Sequence, residues 1–198
     1  MPIHKWPLNE LLISRIFEFA NTPFTLDAFR QKWTTFGWTH ESKTGDEFGF
    51  RVQIGGGLSF NIDPAGDRVV GAALPFCYWE GYDPQFRSDI PEFERERTAF
   101  NTEFLSTAQL TERLLAAPFA HWHDSDHDAH RAKVWAGKNG LLILQEASFD
   151  LQFGMELNFW LVSLSPAKFS PTSPLIDWLC EYSRIEHAKA GFPKITRE

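Results

Sequence analysis

Residues 135–163 read WAGKNGLLILQEASFDLQFGMELNFWLVS and carry the densest β signal in the chain. Residues 131–136, 141–146 and 151–162 are apolar or alternating runs, separated by Lys138-Asn139-Gly140 and by Ala147-Ser148-Phe149-Asp150. An Asn-Gly pair between two apolar runs predicts a hairpin, because both central residues of the favoured tight turn take positive φ. In the last run Phe153, Met155, Leu157, Phe159 and Leu161 alternate with Gln152, Glu156 and Asn158. One face is therefore expected to be buried and the other wet. The stretch reads as the end of an antiparallel meander.

It has an echo upstream. Sliding the sequence on itself by 83 positions matches Gly57 with Gly140, Leu58 with Leu141, Asp67 with Asp150, Gly71 with Gly154, Leu74 with Leu157 and Phe76 with Phe159. Those are six identities in the twenty positions 57–76, where ordinary residue usage gives roughly one by chance. At an offset of 84, Leu26 matches Leu110 and Trp38 matches Trp122. The expected fold is α+β, a single domain over residues 1–198. It is built from two pseudo-repeated helix-plus-antiparallel-β-meander units, at about 25–80 and 106–163, with flanking helices at 7–20 and 173–190.

The remaining elements follow from period and punctuation. Leu8, Leu11, Leu12, Ile16 and Phe19 share a helical face that should stop near Asn21-Thr22-Pro23. Thr25 is an N-cap candidate, with Leu26, Phe29 and Trp33 on one side of the helix it opens. Residues 40–46 read as a polar loop, and residues 48–54 alternate as a strand. Gly55-Gly56-Gly57 then lies between two strands. A phosphate cradle needs a helix to follow, so the glycines predict a hairpin turn or bulge. Pro64-Ala65-Gly66-Asp67 is a turn by composition, followed by a strand at 69–76. Residues 77–87, CYWEGYDPQFR, have no counterpart in the second unit and read as a protruding loop. A charged helix over 91–105 follows, and Ser106 with Gln109 is a capping-box pattern that predicts a second helix.

Composition narrows the function. With 43% hydrophobic and 15% aromatic residues, a chain of 198 can bury a large core. A formal charge of −7 argues against a nucleic-acid backbone as partner, which needs a basic face, and fits a basic protein partner. The two cysteines, Cys77 and Cys180, sit among apolar residues and read as buried thiols. No secretion signal opens residues 1–20 and no apolar run is long enough for a membrane span, so the expectation is a cytoplasmic protein with no membrane partner.

The strongest chemical candidate is His121-Trp122-His123-Asp124-Ser125-Asp126-His127-Asp128-Ala129-His130. Its ligand types suit zinc or iron. It approaches the His-x-His-x-Asp-His motif of the metallo-β-lactamase superfamily but has one residue too many, and only His187 follows among later histidines. The expectation is a solvated loop with Trp122 tucked into the core, and no metal or other cofactor. No Gly-x-Ser-x-Gly elbow, Walker loop or dinucleotide glycine pattern is present. The chain is accordingly read as non-enzymatic.

Trp135, Gly137, residues 141–145, Asp150, Phe153-Gly154 and residues 156–162 form a pattern that resembles small bacterial immunity proteins of polymorphic and contact-delivered toxin systems. The resemblance covers about a quarter of the chain. It implies a cytoplasmic, acidic, non-enzymatic protein that blocks a toxin domain. Helix-plus-meander order and acidity are also similar to type III secretion chaperones, which would make the partner a secreted effector. Aromatics beside acids suit an interface. The expected partner-binding residues are Tyr78, Trp79, Glu80, Tyr82 and Asp83, with Asp124, Asp126 and Asp128.

Overall fold

The Asn9 side-chain oxygen accepts the Leu12 amide at 2.8 Å, and the first helix starts there. The computed structural model describes residues 3–41, 49–79, 90–123, 131–148, 154–171 and 175–191. Among the described residues the helices are α1 (Glu10–Ala20), α2 (Leu26–Thr35), α3 (Ile90–Leu115) and α4 (Leu175–Lys189). The strands are β1 (His4–Lys5), β2 (Thr39–Glu41), β3 (Phe50–Gly55), β4 (Leu58–Ala65), β5 (Arg68–Trp79), β6 (Ala120–His123), β7 (Arg131–Ala136), β8 (Leu141–Ser148) and β9 (Met155–Val162). The α+β expectation holds.

All nine strands join one antiparallel sheet in the order β2-β3-β4-β5-β9-β8-β7-β6, with β1 added on β5. Each half of the chain thus runs a helix and then four strands in sequence, and the two runs meet at their last strands. The seam pairs Leu74 with Phe159 and Cys77 with Leu157. Pro75 sits in the middle of β5, where a missing amide would cost a ladder bond. The sheet absorbs it with a register shift between Pro75 and Cys77. At that level β4 has already ended its pairing, at Ala73, and β1 takes its place through His4–Tyr78 and Lys5–Cys77. The Trp6 amide completes the patch by donating to Phe76 O at 2.8 Å.

The inner face of the sheet carries the main core. Ile13, Ile16 and Phe19 of α1, Phe29 and Trp33 of α2, and Phe100, Phe104 and Ala108 of α3 pack there on Phe60, Leu74, Leu144, Leu157 and Phe159. Burying each large side chain contributes about 2 kcal/mol. The outer face is covered at one end by α4, whose Leu175 and Leu179 pack on Val134, Leu141, Ile143 and Val162. Arg131 fastens α3: its guanidinium pairs with Glu146 of β8, donates to Asn101 Oδ1 of α3, and lies 4.3 Å over the Phe104 ring. Burial pushes the Glu146 carboxyl up, and Arg131 pulls it part of the way back.

Several expectations need correction. The helices expected at 91–105 and from Ser106 are one continuous α3. The Ser106 hydroxyl donates to Glu103 O at 3.0 Å inside it, and Phe100, Phe104 and Ala108 continue one buried stripe across the supposed break. Leu11 is not on the buried face of α1, which is Ile13, Ile16 and Phe19 instead. Pro64 and Ala65 still belong to β4, so the turn is only Gly66-Asp67. Residues 77–79 are the end of β5 rather than a loop. The second face of β9 is not wet throughout, since Asn158 and Val162 are buried on it. The hairpin turn expected forms at Gly56-Gly57, with Gly55 ending β3 after a register shift and positive φ at all three glycines.

The Asn-Gly turn forms, but by different physics. Neither Asn139 nor Gly140 has positive φ. Residues 137–140 form a four-residue loop closed by Gly137 N to Gly140 O at 2.8 Å, and it docks on the end of α1. Asn139 Nδ2 donates to Asn21 O at 2.6 Å, and the Asn139 amide to Ala20 O at 2.9 Å. The glycines are required by crowding. A Cβ on Gly137 would stand 2.5 Å from Ala20 O, and one on Gly140 would stand 2.4 Å from the Phe24 ring. Gly137→Ala is therefore expected to lower unfolding stability by about 2 kcal/mol in urea titration. Lys138→Ala, at an exposed position of the same loop, should change it by less than about 0.5 kcal/mol.

Candidate functional site

The part of the outer face over which no described helix lies is the candidate site. Strand period places Gln53 of β3, Ser59, Asn61 and Asp63 of β4, Gly71, Ala73 and Pro75 of β5, and Glu156, Asn158 and Trp160 of β9 on this side. Apart from the buried Asn158, these residues are half-buried, unlike their neighbours on the inner face. Gly71, Ala73 and Pro75 are short, while Asn61 and Trp160 flank Ala73 from the two sides. The surface therefore dips along β5. One end of the dip is closed by α4, where Ser183 Oγ donates to Asp63 Oδ2 at 2.6 Å and His187 Nε2 lies 2.7 Å from Asp63 Oδ1.

Tyr78 stands at the other end. Its ring stacks on His4 with centroids 4.8 Å apart, and the Trp6 ring lies 5.8 Å away. Directly across the seam from Tyr78 is Glu156. Burial pushes the Glu156 carboxyl up, opposed by a hydrogen bond with the Asn158 side chain. Asn158 in turn faces Gln145 of β8, whose side chain is fully buried. Neither end of the Gln145 amide has a hydrogen-bond partner among the described residues, nor do Trp160 Nε1 and Asn61 Oδ1. Folded proteins leave few buried polar groups unpaired, and groups of this kind are completed by water, a ligand or a partner. The site is a belt of amides, the carboxyls of Asp63 and Glu156, and the rings of Tyr78 and Trp160.

The sequence pointed to one member of this belt. Tyr78 belongs to it. Trp79 faces the other way, into the main core at 1% exposure, so it is not an exposed anchor. Glu80, Tyr82, Asp83, Asp124, Asp126 and Asp128 lie outside the described residues. Gln145, Asn158, Glu156 and Trp160 were missed because polar positions in an alternating strand read as solvated. The signal that finds them is the run Leu141-Leu142-Ile143-Leu144, which requires both faces of β8 to be covered just before Gln145.

Other clusters hold less chemistry. His121 and His123 of β6 pair with Lys133 and Arg131, and Trp122 packs at the edge of the α4 cluster. His127 and His130 lie outside the described residues, and no metal-holding group of three or more His, Cys, Asp or Glu occurs among the described ones. In the Ser183–Asp63–His187 group the carboxylate sits in the middle, accepting a hydrogen bond from the serine hydroxyl on one oxygen and meeting His187 on the other, and so clamps α4 to β4. Cys77 is a buried thiol pushed up to about 12 by burial, then by the Glu103 charge. Cys180 is exposed, contrary to expectation.

No family model, curated protein or solved structure matches this chain. No helix among the described residues is long and apolar enough to cross a membrane.

The raised Glu156 carboxyl makes a pH prediction. A group held above its unfolded value, about 4.3 for Glu, favours the folded state while protonated. That contribution is complete below the unfolded value and is lost as pH rises through the folded one. Glu156→Gln removes the loss. The variant is expected to be more stable than the parent at pH 7, and the difference should shrink steadily as pH falls toward about 4, measured by denaturant titration across that range.

Proposed function

We propose that this chain is a non-enzymatic protein-binding protein that acts as an immunity protein, covering and neutralising a basic toxin domain in the bacterial cytoplasm. The observation that supports this reading is the outer face along β4, β5 and β9: a polar, half-exposed sheet surface of Ser59, Asn61, Asp63 and Glu156 beside the Tyr78 ring. Such a surface offers hydrogen bonds in fixed directions and an aromatic anchor, Tyr78, at its rim. The formal charge of −7 would speed encounter with a basic domain and make the complex salt-sensitive. A second reading is a secretion chaperone or adaptor for an effector, favoured by the dip along β5, whose shape suits an extended segment.

We also propose that the two meanders arose by duplication. Gly57 and Gly140 close equivalent hairpins, Leu58 and Leu141 open equivalent strands, and both meanders end at the seam. Profiles built separately for residues 26–76 and 110–159 from newly sequenced relatives should detect each other. If they score no better than shuffled sequences, the duplication is refuted.

Affinity capture on the full chain from its source organism, with mass spectrometry, is expected to retrieve a basic protein whose toxicity on expression is relieved by co-expressing this chain. Tyr78→Ala should weaken that complex by about 2 kcal/mol with an unchanged melting curve. Trp79→Ala should instead cost about 3 kcal/mol of folding stability, because it empties a core position. A retrieved effector that is exported with this chain's help and is not toxic would favour the chaperone. Retrieval of nothing, or toxicity that persists on co-expression, overturns the immunity reading.

A further inference from the structure

β4 stops pairing with β5 at Ala73, and the edge of β5 beyond it is filled by the two-residue strand β1. His4 stands opposite Tyr78 and Lys5 opposite Cys77, and the Trp6 amide donates to Phe76 O at 2.8 Å. The side chains of this segment are held one by one. His4 stacks on the Tyr78 ring, Lys5 Nζ lies 3.1 Å from Glu103 Oε2 of α3, and Trp6 Nε1 donates to Gly56 O at 2.9 Å in the β3–β4 turn. Ile3 packs against the main core. Pro7 has no amide, so the ladder cannot run on past Trp6. His4 and Lys5 are both exposed. A strand this short, with its backbone hydrogen bonds at the surface, opens at a lower free energy than the sheet around it.

We propose that the edge of β5 from Phe76 to Tyr78 is a strand-exchange site. The chain fills it with its own residues 3–6, and the partner protein takes it by laying down an extended segment in their place. That segment carries an apolar, a basic and an aromatic residue where Ile3, Lys5 and Trp6 now stand. This rests on the reading of the chain as a protein-binding protein and names what it recognises. A strand edge offers main-chain hydrogen bonds to any extended segment, and the places for its alternate side chains select among them. The resident strand shows what those places take. Glu103 selects a positive charge, and its side chain is still 24% exposed with Lys5 in place, so it is open to a charge arriving from solvent. The Gly56 carbonyl selects an aromatic ring that carries a donor, as the Trp6 indole does. The formal charge of −7 favours a basic segment over an acidic one. A second copy of the chain brings the same residues 3–6 but also the same charge, which opposes association of two copies. Occupation of the edge by β1 lowers the apparent affinity for any other segment by the fraction of chains whose edge is free. Weakening the resident strand must therefore tighten binding in trans.

The test uses the full chain and fluorescein-labelled peptides, read by fluorescence anisotropy. The first peptide is Ile-His-Lys-Trp-Pro-Leu, the sequence of residues 3–8. The second, Val-Thr-Arg-Tyr-Pro-Leu, keeps only the pattern. In Trp6→Ala the resident strand loses its indole contact, and both peptides are expected to bind this variant saturably and at least tenfold more tightly than the parent. Lys5→Glu, at an exposed position, sets the resident strand against Glu103 and should tighten binding at least threefold. Glutamate in place of the lysine of the first peptide should weaken its binding to either variant at least threefold, and Glu103→Lys should reverse that preference. Four outcomes overturn the exchange site: no saturable binding to either variant, equal affinity for parent and variants, a lysine preference that is absent or that Glu103→Lys does not reverse, or binding of the first peptide alone. Concentration-dependent dimerisation of the parent in light scattering, lost in Trp6→Ala, assigns the edge to a second copy and overturns the partner segment. Melting curves establish that the variants fold, and Lys5→Glu keeps the test decisive if Trp6→Ala does not. Because the probes are free peptides, a negative titration removes the exchange site without touching the capture experiment. A failed capture leaves a positive titration standing.

Discussion

Everything in this molecule depends on the pairing of β5 with β9. Each meander alone is an open sheet with two edges, and one such sheet would leave its last strand unpaired. Joining the two last strands removes one edge from each half, leaving β2 and β6 outermost, and brings Leu74, Phe76, Leu157 and Phe159 together under the helices. The Phe76 and Phe159 rings lie 5.5 Å apart across this seam. Pro75 marks the one place where the seam cannot be regular. Its consequences spread outward: a bulge, the early end of β4, and the recruitment of His4 and Lys5 to fill the gap.

The two faces of the sheet are held by different forces. Inside, three helices meet the sheet through close-packed aromatics, and the few charges present work in pairs. Glu146 is 1% exposed, and its burial is tolerable because Arg131 meets it while also gripping Asn101. Breaking such a pair costs more than making it gains, so it fixes the position of α3 rather than adding much net stability. Outside, α4 covers one half of the sheet with Leu175 and Leu179 and is fastened at its far end by Asp63. The other half receives no described helix.

The strands and hairpins were legible in the sequence because period and turn residues report local geometry. The glycine turn at 55–57, the cap at Thr25 and the runs that became β7, β8 and β9 all follow from local sequence. What failed was long-range. Ser106 looks like a helix start to any four-residue window, yet Phe100, Phe104 and Ala108 need one unbroken face. Trp79 precedes Glu-Gly-Tyr-Asp-Pro and so reads as loop, but β1 and β9 pair on either side of β5 at that level and carry the strand into the core. Gly140 lies in the turn that the Asn-Gly pair predicts, but what requires glycine there is the Phe24 ring, which is distant in sequence. The candidate site was the least legible of all. Its members come from β5, β8 and β9 and become neighbours only once the seam has formed.

The half-covered sheet separates two kinds of evolutionary freedom. Residues such as Gln53, Ser59 and Asn61 stand on strands whose position is fixed from the opposite side, by Val52, Phe60 and Ile62. Exchanging them alters the chemistry of the outer surface and leaves the packing that holds the strands untouched, so the stability change per substitution is small. A lineage carrying this scaffold can drift in the chemistry of that face, one half-exposed side chain at a time, without passing through an unfolded intermediate sequence.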